Sequence, residues 1–87
     1  MYQAKVYVNY KDSVLDPKAE AIKTALTRAS INNVQDLMVG KYFELRLTAD
    51  SQLAAEQQVD AICDQLLANI NMEQYRYTVS AIDEVQA

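Results

Sequence analysis

Lys41-Tyr42-Phe43-Glu44-Leu45-Arg46-Leu47-Thr48 alternates without a break. Phe43, Leu45 and Leu47 fall on one side, and Tyr42, Glu44 and Arg46 on the other. That period belongs to a strand with one face on a core and one in water. Val34 to Val39, just upstream, reads as another strand. Gly40 is then expected at a tight reversal between the two, where a positive φ costs glycine little. In this reading Lys41 projects at the rim of the turn, as a partner contact or as a solubilising charge.

The same periodicity recurs toward both ends. Tyr2 to Tyr10 sets Ala4, Val6 and Val8 against Gln3, Lys5, Tyr7 and Asn9, and Tyr75 to Ile82 reads as a last strand. Between the strands the period lengthens. Asp16-Pro17 is a helix start: the carboxylate can accept a first-turn N–H, and proline fits the first helical position. Ile22, Ala25, Leu26 and Ala29 follow at helical spacing, and Ser30 to Asn33 should end that helix. Asp50 or Ser51 should cap a second helix to about Asn69, with its stripe on Ala55, Val59, Ile62 and Leu66. The order β-α-β-β-α-β implies an α+β two-layer sandwich. Four mainly antiparallel strands would carry two helices on one face, in a ferredoxin-like arrangement or a variant of it. Residues 1–82 are expected to form one domain, and residues 83–87 a frayed tail.

Composition removes whole classes of function. With 51% hydrophobic and 23% charged residues, the 87-residue chain has an ordinary globular balance. A formal net charge of −4 argues against a nucleic-acid partner. No apolar run approaches the roughly 18 residues of a membrane span. The single cysteine excludes an internal disulfide and fits a reducing cytoplasm. Without histidine there is no side chain titrating near neutrality and no Cys/His zinc site. With one glycine, no glycine-rich phosphate loop can form.

The remaining candidates are few. Glu56, Asp60 and Asp64 repeat every four residues on the second helix, off its apolar stripe, and read as a solvated face. Cys63 lies beside the stripe and reads as a buried structural thiol, not a nucleophile. Val39 to Leu45 faintly echoes an RNA-recognition strand, but Phe43 and Leu45 point to the core and the charge has the wrong sign. Catalytic, cofactor-binding and metal-binding residues are therefore expected to be absent. The uncovered sheet face is more informative: Lys5, Tyr7, Tyr42, Glu44, Arg46, Arg76 and Thr78 should share it. Tyrosine and arginine are enriched at protein interfaces, and an ordinary solvated face has the same alternation.

Three segments together resemble the PurS family, the small subunit of phosphoribosylformylglycinamidine (FGAM) synthase. They are Val6-Tyr7-Val8 with Ser13 to Pro17; Val34-Gln35-Asp36 with Val39 to Leu45; and Cys63 with Leu66 to Asn69, followed by Met72 to Tyr77. Lys18-Ala19, Val39 and Thr78 stand where many relatives carry glycine, a basic residue and an acidic residue. The resemblance implies a non-catalytic cytoplasmic adaptor that joins the synthase subunit PurL to the glutaminase PurQ for ammonia transfer. It implies a homo-oligomer, dimer or tetramer. ATP and magnesium would be used by the complex, with no cofactor on this chain. Interface candidates are Tyr7, Gly40, Lys41, Tyr42, Glu44, Arg46, Tyr75, Arg76 and Tyr77. The rival reading is a small ligand-binding regulatory domain similar to ACT modules.

Overall fold

The computed structural model describes residues 1–82; the tail expected at 83–87 lies outside the described residues. Strands β1 (Tyr2–Tyr10), β2 (Gly40–Leu47) and β3 (Glu73–Ala81) alternate with helices α1 (Pro17–Arg28) and α2 (Gln52–Ile62). The sheet is antiparallel, in the order β2-β1-β3. Val6 sits opposite Phe43 on one side and Tyr77 on the other; Tyr7 sits opposite Tyr42 and Arg76. This register puts Ala4, Val6, Val8, Phe43, Leu45, Leu47, Tyr75, Tyr77 and Val79 on one face.

The α+β architecture with two helices is present, but the expected fourth strand is not. Residues 34–39 form no strand among the described residues. Two features of the sequence explain this. In Val34-Gln35-Asp36-Leu37-Met38-Val39, Asp36 interrupts one alternating face and Gln35 the other, so neither is continuously apolar. Asp36 Oδ1 also accepts the N–H of Leu37 at 2.8 Å, a local bond that competes with a ladder. Gly40 is not a turn residue either. Its φ is not positive, and it pairs with Asn9 as the first residue of β2. A Cβ there would collide with the Val8 carbonyl oxygen. Glycine is needed for close approach of backbone to backbone, not for a reversal.

Helix starts follow the sequence closely. Asp16 Oδ1 accepts the Lys18 N–H at 3.0 Å, with Pro17 at the first position. Ser51 Oγ accepts the Ala54 N–H at 3.1 Å. Beyond α2 the helix widens into a single π-helical turn, Cys63–Leu67, closed by the Ala68 N–H on the Cys63 carbonyl at 3.0 Å. It stops two residues before Asn69, whose carbonyl accepts the N–H groups of Met72 and Glu73 in the turn into β3.

The core is small and one-sided. Ala4, Val6 and Val8 meet Val59 and Cys63, with Ala55 also fully buried. α2 packs over β1 and β3. α1 does not lie across the sheet, contrary to the expectation that both helices share one face. Ala19 is its only buried residue among the described ones, and Ile22 is 42% exposed. Phe43, Leu45 and Leu47 on β2 are accordingly only half-buried. The radius of gyration is 16.9 Å, against roughly 12 Å for a compact chain of this length. α1 and residues 31–39 form an arm projecting from the sheet, with a cleft of about 390 Å³ opening between them and the end of β1.

Candidate interaction surface

The face of the sheet turned away from α2 carries an ordered array. Tyr7, on the central strand, lies 5.0 Å from Tyr42 between ring centroids. The Arg76 guanidinium sits 4.9 Å from the Tyr7 ring centroid, within cation–π range. The Tyr42 hydroxyl donates to Glu44 at 3.0 Å. Cross-strand pairing explains the assembly: Tyr7 faces both Tyr42 and Arg76, Lys5 faces Glu44 and Thr78, and Gln3 faces Arg46. Lys5, Tyr7, Tyr42, Glu44, Arg46 and Arg76 are all exposed. The strand periodicity had put these residues together, and the register does so.

Tyr75 and Tyr77 belong to the other face. They stack on one another at 6.3 Å and pack against the core beneath α2. The Tyr75 hydroxyl donates to Asp60 Oδ1 at 3.0 Å. Burial first, and then this bond to a carboxylate, push the Tyr75 pKa up to about 12. Asp60, grouped by the sequence with a solvated acidic row, thus holds β3 to α2. The helical spacing showed the row but not what the neighbouring strand would offer it.

Lys41 is not idle. Its Nζ lies 3.3 Å from Glu73 Oε2 and donates to the Leu67 carbonyl at 3.4 Å. Glu73 Oε1 in turn accepts the Asn69 N–H at 2.8 Å. That backbone N–H, assisted by Lys41, holds the Glu73 carboxyl below the usual glutamate range. Three elements meet here: the start of β2, the end of the π turn and the start of β3. No spacing rule links positions 41 and 73, so this contact was not legible in the sequence.

Among the described residues no group of three or more His, Cys, Asp or Glu side chains could hold a metal ion. Cys63 is fully buried, and burial, with Asp60 nearby, raises its thiol pKa. No helix of the described residues is long and apolar enough to cross a membrane. What the molecule offers is a rigid strand surface of tyrosine and arginine, and an arm that its own sheet does not cover. These features define a small α+β interaction subunit.

Comparison with known proteins supplies the family. The family model described as PurS, phosphoribosylformylglycinamidine (FGAM) synthase, matches residues 3–81. A curated relative from Bacillus subtilis, named phosphoribosylformylglycinamidine synthase subunit PurS, is 44% identical over 82 residues, covering 94% of this chain and 96% of its own. The solved B. subtilis PurS superposes with a TM-score of 0.81 at 45% identity, over 93% of this chain and 100% of that one. A chain from the structure of PurLQS from Thermotoga maritima gives 0.82 at 28% identity, over 91% and 96%. The chain belongs to the PurS family.

Proposed function

We propose that the chain is the non-catalytic adaptor subunit of an FGAM synthase, joining PurL to PurQ for glutamine-dependent FGAM formation in the cytoplasm. One observation carries this: a relative of the same fold over nearly its whole length is part of a PurLQS structure. The absence of histidine and of glycine-rich loops from the sequence agrees with it. In this reading ATP and magnesium are handled by the large subunit. The adaptor raises the local concentration of glutaminase beside synthase. The test is reconstitution. Glutamine-dependent synthesis should require this chain, and ammonia-dependent synthesis by the large subunit should not. Equal glutamine-dependent rates with and without the chain would refute the role.

The adaptor is read as a homo-oligomer built on a dimer. α1 has an apolar row, Ile22, Ala25 and Leu26, that is largely exposed, while Phe43, Leu45 and Leu47 on β2 border the core and are only half-buried. Two copies that exchange arms about a two-fold axis would cover both surfaces at once. Light scattering should give at least twice 9.8 kDa, and Ile22→Asp with Leu26→Asp should lower it. A monomeric wild-type chain at micromolar concentration rules out this assembly.

A further inference from the structure

We propose that the uncovered face of the sheet, centred on Tyr7, Tyr42 and Arg76 and flanked by Lys5 and Arg46, docks an acidic surface of another protein in the complex. This rests on the adaptor reading and adds where the adaptor is held and by what chemistry. Charge is the first argument. Lys5, Arg46 and Arg76 against Glu44 leave this face at +2, in a chain whose formal net charge is −4. The rest of the molecule therefore carries −6, so the one sheet face that no helix covers is net positive in an otherwise acidic chain, although five of the eight cationic side chains lie elsewhere. A second copy docking by the same face would bring +2 against +2, which disfavours self-association there. A second copy offering its acidic remainder would make a head-to-tail contact, which yields a ring or an open filament and not a two-fold dimer.

Pre-organisation is the second argument. Arg76 over Tyr7, Tyr7 against Tyr42, and Tyr42 bonded to Glu44 are already linked before any partner arrives. Side chains fixed in advance lose little entropy on binding. Tyrosine and arginine are the residue types that dominate interface energetics. Glu44 adds selectivity: an acidic partner surface must place a cation or a hydroxyl opposite it, or leave a carboxylate facing carboxylates. Exposure of Tyr7 at 39% and Tyr42 at 49% leaves ring surface for the partner to bury.

The test uses the full chain, immobilised, with purified synthase and glutaminase subunits passed over it separately. At least one subunit should bind. Its association rate should fall about tenfold or more between roughly 50 mM and 500 mM salt. Arg46→Glu with Arg76→Glu should weaken that binding at least about tenfold while the oligomer mass is unchanged. Lys5→Glu, which leaves the Tyr7–Arg76 contact intact, should weaken it in the same direction. Wild-type binding that none of these variants alters overturns the assignment of this face and leaves the adaptor role standing. A double variant that changes oligomer mass instead assigns the face to a second copy and overturns the proposal. Failure of the wild-type chain to bind either subunit sinks the adaptor role, and the proposal with it.

Discussion

Gly40 shows what one residue type can and cannot announce. The sequence marks a glycine before an alternating strand, and a reversal is the usual reason for one. Here the reason is contact: Val8 carbonyl oxygen and Asn9 Cβ stand where a side chain would go, the latter at 3.3 Å. Gly40→Ala should therefore destabilise by about 1–3 kcal/mol, as over-packing does. Denaturant titration checks this, and an unchanged midpoint would mean the strands part freely at that point. Glu73 is the second case. Its carboxyl is held low in the folded state, so it adds stability above the unfolded glutamate pKa of about 4.3, and that contribution is lost as pH falls through the folded value. Glu73→Gln should be less stable than wild type near pH 7, and the gap should close near pH 3. A gap of constant size at both pH values would point to shape, not charge. Lys41→Glu would lose the same contact and set two carboxylates side by side, so it destabilises as well as reversing a charge.

Helix α1 was legible from its start and misread at its purpose. Asp16 and Pro17 fix where it begins because capping is local chemistry. Its end is local too, though subtler. Ser30 has φ 63°, its N–H bonds the Thr27 carbonyl at 3.0 Å, and the Ile31 N–H bonds that of Leu26 at 2.9 Å. This paired closure normally places glycine at the left-handed position. Ser30→Gly should then stabilise by about 0.5–1 kcal/mol by removing the Cβ penalty. A higher urea midpoint is the expected result; a lower one would mean the serine side chain holds something that glycine cannot. Where α1 packs was not legible, because an apolar stripe states that a helix needs a surface and not whose surface it is. The missing strand at 34–39 has a local origin instead: both edges of the sheet are open, but Asp36 bonds the Leu37 N–H and polar residues break the alternation, so β propensity alone does not add a strand. The π turn left no sequence signal at all.

At the scale of the molecule, strand alternation sorted the two sheet faces; it was the family resemblance that set Tyr75 and Tyr77 among the interface candidates, and they lie on the core face. Those two sit among exposed polar neighbours in the chain, and their side chains pass under α2. The long-range clamp of Lys41, Glu73 and Leu67 depends on how three elements meet, which only the fold supplies. Cys63 is buried, as its place beside the apolar stripe indicates, and that burial has a practical side. It is the only thiol in the chain, it is 0% exposed, and its raised pKa keeps it protonated near neutrality. A chromogenic thiol reagent should label the native protein at least about a hundredfold more slowly than the urea-unfolded chain, because reaction waits for α2 to lift off β1 and β3. Equal rates would mean the helix is already loose. The labelling half-time, followed across protein dilution or on adding a binding partner, becomes a clock for that opening, built in and needing no introduced probe.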